Sequence, residues 1–460
     1  MGRKKEEIVI KESDYLIHSK EKALKASITE GSLQSVAASM SSNFITPFAL
    51  AIGANNFHIG LMSSLSGLSE PIGELRGSRL IEKHSRKKLI MKSRMLAILL
   101  YIPIIFLGYL FWKGLFIKYL PWALILIWAI VMGYVFGIAN VSWLSWMGDI
   151  VPADGRGKYF AKRNRIIGFL GLVSFLTAGF LLDLFKTRGY VLLGFTVLFA
   201  GAFIFRYIAK QLVGRIFNPV FRVRKGYYFS FKEFVKRYDN FGKFAFYQAF
   251  FFMAINIASP FFAVYMLQDL KFNYLTFTVV SMSSTIFYLI FSPLAGKFSD
   301  KYGNLKLMYF AAFLFPIVPL LWIFLESPLS LIFLPGLISG MANASFVIGT
   351  TDFTYDCVSP QKRGLCFAYS ALLVGFGILI GSFVGGALIQ YLPISFISPL
   401  FFVFMVSCAM MVIVSIFFLP QLKEWRKTDK MKGFSVDFMH PFKMIHADII
   451  WAKNFIHQKS

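Results

Sequence analysis

The sequence predicts an all-α integral membrane protein with twelve transmembrane helices in two pseudo-symmetric bundles of six. Three observations carry that expectation. Of the 460 residues, 57% are hydrophobic and only 15% are charged, against roughly 25% charged residues in a soluble domain. Apolar runs of about 20 residues, enough for a helix to cross a bilayer, recur along the whole length. The two halves of the chain also repeat one another in fixed registers.

Residues 1–28 are mixed in charge, lack a sustained apolar core and do not resemble a secretory signal. They read as an N-terminal tail. Six runs follow, at 29–53, 57–81, 89–112, 119–148, 164–185 and 188–209, and define a first bundle over 29–209. A basic stretch, 210–240, reads as a central loop. The second bundle, 241–420, has runs at 241–267, 274–296, 306–325, 329–356, 365–391 and 395–420. Residues 421–460 form a charged tail in which Phe442, Ile445, Ile449 and Ile456 recur at helical spacing. That pattern predicts an amphipathic helix on the inner leaflet, or docked on the protein's own cytoplasmic face.

The net charge of +25 invites a nucleic-acid reading, but its placement argues against one. Of the 48 Lys and Arg, only Lys113, Lys118, Lys186, Arg188 and Lys271 fall in loops on one side. Nearly all the rest lie in the tails and the opposite loops. This positive-inside pattern predicts a multi-pass cell-membrane protein with both termini cytoplasmic. An anionic inner leaflet is then a natural partner. The three Cys and six His show no metal-ligand spacing, and no Gly-x-x-x-x-Gly-Lys-Ser/Thr loop is present. The sequence therefore predicts no metal, no cofactor, no ATP-driven step and no catalytic site.

The internal repeat fixes the candidate gate. Asp149/Asp356, Arg156/Arg363, Gly157/Gly364, Gly168/Gly375 and Gly179/Gly386 share an offset of 207. "GKFSDKYGNLK" (296–306) aligns with "SRLIEKHSRKK" (78–88) at an offset of 218. Gly296, Asp300, Gly303 and Lys306 match the Gly-x-x-x-Asp-x-x-Gly-x-x-Lys/Arg loop signature of the major facilitator superfamily, which the chain resembles over about 29–420. The first copy departs from it, with Ser78, Glu82 and Ser85 in place of Gly, Asp and Gly. The resemblance implies parallel repeats about an axis along the membrane normal. It further implies a secondary transporter that works by alternating access, with spans one and seven lining the central cavity. Glu82, Asp149, Arg156, Gly157, Asp300, Gly303, Asp352, Asp356, Arg363 and Gly364 form the candidate cytoplasmic gate. The alternative is that these charges only tie loops together.

Within the spans, Glu70 and Glu74 stand one helical turn apart on a face with Ser63, Ser66, Gly67 and Gly77. A carboxylate at that depth is costly unless it is paired, protonated or facing a wet cavity. Both are candidates for proton coupling and for the substrate cavity, or else for a structural pair. Arg76 and Arg79 point elsewhere and can snorkel to the interface. Glu30 reads as a helix-start acid. "NFITPF" in span one recurs as "NIASPF" in span seven at an offset of 213. Asn43 and Asn256, with Ser39 and Gln248, join the candidate cavity, with helix–helix contact as the alternative for the asparagines. Pro47 and Pro260 are candidate hinges. Gly133, Gly137, Gly168, Gly179, Gly377, Gly381 and Gly385 are candidate packing sites, because close approach of small residues holds helices together in lipid.

The function expected is proton-coupled transport of a small solute by a monomeric permease. No basic residue is placed confidently at mid-depth, which tilts the expectation toward export of an amphipathic or cationic compound. The alternative is a non-transporting receptor, sensor or assembly partner of the same fold.

Overall fold

A computed structural model describes residues 2–115, 120–151, 156–216, 229–237, 239–391 and 398–425. The described residues form twelve helical rods, numbered here in chain order. Helix one runs Gly2–Ser41, passes through a tight turn of 3-10 helix at Ser42–Phe44 and resumes as Ile45–Ala51. Helices two to six are Asn56–Lys83, Arg86–Trp112, Leu120–Ile150, Arg156–Thr187 and Val191–Arg215. Helices seven to twelve are Asn240–Asp269, Tyr274–Tyr302, Asn304–Phe324, Pro328–Cys357, Pro360–Tyr391 and Pro399–Gln421. Ten are long and apolar enough to cross a bilayer. The other two are helices one and two, where the cavity-forming polar residues are concentrated. Helix two carries Glu70, Glu74, Arg76 and Arg79 in its interior.

Two boundaries differ from the sequence expectation. Residues 2–28 are not a separate tail but extend helix one. The central loop is shortened from both sides, by helix six reaching Arg215 and by a short helix at Phe231–Val235. Ser230 and Glu233 cap that short helix reciprocally. The expected amphipathic helix at 442–456 lies outside the described residues.

The helices end where their sequences supply caps. Asn55, Asp239 and Asn273 each accept a backbone N–H of the first turn of helices two, seven and eight. The two copies of the loop signature close differently. Gly303 sits at φ 100°, where only glycine is unstrained, and lets helix nine start at once after helix eight. Its counterpart Ser85 has φ −59° and ψ 129°, a conformation open to any residue. The departure from glycine in the first half therefore costs the backbone nothing.

Small residues set the helix contacts. Gly377, Gly381 and Gly385 of helix eleven press on the carbonyls of Ala249, Met253 and Ile257 in helix seven. Gly133 and Gly137 of helix four press on Ser69 and on the backbone at Glu70 and Glu74 in helix two. Between the halves, Gly60 meets Ser382 and Gly386, and Ser64 Oγ donates to the Leu379 carbonyl at 2.7 Å. Gly179 of helix five meets Thr278 and the Tyr274 carbonyl of helix eight. Gly168 does not share this role, since a side chain built there meets nothing within 4 Å. It lies about three turns from Gly179, on a side of helix five that nothing approaches, while helix one packs on another side at Ile167 and Gly171.

Candidate functional site

The end of the bundle that carries the loops after helices two, four, eight and ten is called here the basic end, and the opposite one the far end. At the basic end the repeat reappears as matched contacts. Arg86 is only 2% exposed. Its Nη1 donates to Asp149 Oδ2 at 2.7 Å, and also to the Ser145 carbonyl. The equivalent pair in the second half is Asn304, whose Nδ2 donates to Asp356 Oδ2 at 2.7 Å, with Ser299 in turn bonded to Asn304. The loop thus grips the end of helix four or ten in both halves, by a charge in one and an amide in the other. In the second half the candidate gate arginine serves backbone carbonyls. Arg363 donates to the carbonyls of Tyr355 and Val358 and stacks on the Tyr355 ring at 4.7 Å. Helix ten's last carbonyls lack intrahelical donors, and a guanidinium serves them well. The side chain of Arg156 and the surroundings of Gly157 lie outside what is described. Glu82, Asp300 and Gly364 are exposed at the basic end. Asp352 is half-buried one turn before Asp356.

At the far end, helices five and eight are latched. The Asp183 carboxylate accepts the Tyr274 N–H at 2.7 Å and the Leu275 N–H at 2.8 Å. An acid of the first half thereby caps the N-terminus of a helix of the second half, where the helix dipole favours negative charge. Phe44, Phe175 and Phe277 pack edge-on beside it. Asp183 is not among the residues that the sequence pattern singles out. Its only signal was an acid near the outer end of an otherwise apolar run.

Between these ends lie two adjoining cavities. One, of about 340 Å³, is lined by helices two, seven, ten and eleven, including Glu74, Gln248, Thr351, Thr354 and Ser370. The other, of about 540 Å³, is lined mainly by helices one, two and four, with Arg206 and Pro260 completing the wall. Gly67 and Glu70 line both. Glu74 Oε1 accepts from Asn140 Nδ2 at 2.9 Å, and Gln248 Oε1 accepts from Ser370 at 2.8 Å. Helix two thus presents Ser63, Ser66, Gly67, Glu70 and Glu74 along one face to the cavities, while Arg76 and Arg79 are exposed.

Other expected cavity residues lie elsewhere. Ser39 is buried and donates to the Gly171 carbonyl at 2.9 Å, so it joins helices one and five. Asn256 donates to the Phe252 carbonyl of its own helix at 2.8 Å. Asn43 is exposed, but neither asparagine lines either cavity. The turns at Ser42–Phe44 and Ser259–Phe261 rotate the register, so Ser42, Thr46 and Pro260 reach the lining instead. Both turns lie at or just before the prolines. A proline ring clashes with the carbonyl four residues back, so Pro47 and Pro260 locally forbid a regular helix.

One further expectation is corrected. Glu30 is not a helix-start acid. It is 1% exposed, in the middle of helix one, and contacts Arg94 Nη2 at 2.6 Å. Arg206 does not lie in a tail or loop with most of the other basic residues, but within helix six. It is 6% exposed on the wall of the larger cavity, with Nη1 donating to Gln34 Oε1 at 3.0 Å. A basic residue therefore stands on the wall of a cavity among the helices.

Comparison with known proteins agrees with this architecture. The sequence model of the Major Facilitator Superfamily matches residues 244–455. The structure of the nucleoside transporter NupG superposes with a TM-score of 0.63 at 14% identity, covering 88% of this chain and 100% of that one. The chain has the fold of the major facilitator superfamily. The vacuolar basic amino acid transporter 2 of Saccharomyces cerevisiae is 29% identical over 168 residues, 35% of this chain and 33% of that protein. The multidrug resistance protein 1 of Bacillus subtilis is 28% identical over 102 residues, 22% of this chain and 26% of that protein. The chain thus aligns with no more than a third of either relative's length. The paired basic-end contacts fall on the two copies of the loop signature; the smaller cavity lies between the two halves, and the larger is walled by the first half with Pro260.

Proposed function

We propose that this protein is a secondary transporter that carries a small amphipathic solute across the cell membrane by alternating access, coupled to protons, with both termini in the cytoplasm. The observation that carries the reading is the position of Glu70. It lies at the junction of two cavities, one between the halves and one walled mainly by the first half, with Glu74 one turn away. A carboxylate there is exposed to whatever occupies either cavity, and gains or loses a proton as the cavity opens and closes. The latch at Asp183 and the aromatic packing around Phe277 close the far end, whereas a side chain built at Gly168 or Gly296 near the basic end meets nothing within 4 Å. With the basic end in the cytoplasm, this is a cytoplasm-facing state, the state in which an exporter loads. The relatives named for basic amino acid transport and multidrug resistance favour transport over a receptor role.

The test is flux in proteoliposomes with and without a pH gradient. Glu70→Gln is expected to abolish acceleration by the gradient while preserving counterflow, which needs no net proton movement. An unchanged gradient dependence removes Glu70 from coupling. Absence of both uptake and counterflow for every compound that stabilises the protein rejects transport itself.

A further inference from the structure

From the buried charges beside the larger cavity, we infer that the solute bears an oxyanion, a carboxylate or a phosphate, held by Arg206. This rests on the reading of that cavity as the transport site. Four ionised side chains from helices one, three, five and six converge behind the cavity wall: Glu30, Arg94, Arg163 and Arg206. Glu30 contacts Arg94 at 2.6 Å. Arg163 stacks on Trp143 at 4.1 Å and lies so close over Gly31 that a side chain there would collide with its guanidinium. Arg206 lies 5.4 Å from the centre of the Tyr101 ring, and the Tyr101 hydroxyl is itself held by Ser41 at 2.8 Å.

The balance of this group is one carboxylate against three guanidiniums. Arginine does not lose its proton in proteins, so the excess cannot be removed by titration. Charge held away from water is retained only when something compensates it. The Nε groups of all three arginines are buried without an acceptor. Arg206 alone among the three lines the cavity, so it is where an outside oxyanion can reach the excess. Its planar fork of donors suits a two-oxygen acceptor. Gln34 already takes one Nη1 bond and fixes the guanidinium in place. The remainder of the cavity is suited to an apolar body, with Ile59, Met62, Trp128 and Met132 on its wall. The ligand class is therefore an amphipathic anion. Glu70 on the same wall has the opposite charge, so a monovalent anion bound together with a proton on Glu70 leaves the loaded cavity no more charged than the empty one.

The test is binding to the purified full-length protein in nanodiscs, with four matched probes. These are 4-phenylbutyrate, phenyl phosphate, uncharged 4-phenylbutanol and cationic 4-phenylbutylamine. Saturable stabilisation by one or both anions, at least tenfold tighter than by the alcohol or the amine, supports the inference. The two anions distinguish a carboxylate from a phosphate preference. Arg206→Gln should weaken anion binding at least tenfold, Arg206→Lys less, and the exposed Arg165→Gln not at all. Equal or tighter binding of the amine or alcohol overturns it, as does the absence of saturable binding by either anion. The charge preference of the unaltered protein decides the matter even if Arg206→Gln does not fold. Counterflow of an unrelated solute is untouched by that result, so failure of the anion assignment and failure of transport are separable.

Discussion

Removing the Asp183 carboxylate should open the far end. Asp183 accepts two backbone N–H groups at the start of helix eight, at 2.7 and 2.8 Å, across the boundary between the halves. A hydrogen bond to a charged group contributes about 1.5–3 kcal/mol. The residue is half-buried, so about 2 kcal/mol for the whole contact, dipole included, is the sounder figure. When the halves part at this end the contact is lost entirely, and its full value biases the equilibrium. Asp183→Ala therefore shifts the closed-to-open ratio by about 30-fold, enough to turn an open state of about 5% into the majority. The assay is pulsed electron spin resonance between labels at Arg188 and Glu326, which are exposed at the far ends of the two halves. Cys357, Cys366 and Cys408 are first replaced, since all three are free thiols. The distance distribution should move to longer values in Asp183→Ala, and partly so in Asp183→Asn, which can still accept a bond. Superimposable distributions for all three proteins would refute the latch.

Further outcomes follow from packing and charge. Gly381→Ala forces a side chain onto the Met253 carbonyl. It should destabilise the fold by about 1–3 kcal/mol in thermal unfolding. Gly168→Ala meets open space and should change stability by less than about 0.5 kcal/mol. Arg86→Ala leaves Asp149 and the Ser145 carbonyl without their donor. A loss of about 2–3 kcal/mol is expected by the same measurement, and Arg86→Lys should restore part of it. Asn304→Ala breaks the neutral counterpart to Asp356 and should cost less than Arg86→Ala.

Some of the site was legible because it is local. Glu70 and Glu74 share a helix face by spacing alone, and both reach a cavity. The matched loops and helix ends were legible because duplication keeps registers, and Arg86/Asn304 and Asp149/Asp356 make equivalent contacts. The misplacements arose where local irregularity or distant partners intervene. The turn at Ser42–Phe44 shifts the facing of helix one by part of a turn, which takes Asn43 off the lining and puts Ser42 and Thr46 on it. No pattern within helix six says that Arg206 faces a cavity, since that depends on Gln34 and Tyr101, more than a hundred residues away.

By itself, the sequence determined the class, the number of rods and the twofold repeat. Those follow from bilayer thickness, backbone hydrogen bonding in lipid and a constant register, all of which act along the chain. Only the tertiary structure decided which charges meet. Glu30 with Arg94, Asp183 with the start of helix eight, and Arg206 with the cavity are encounters between helices brought together by close contacts of glycine and serine. The energy of a charge in a membrane depends on its neighbours in space, and the order of the chain does not state them.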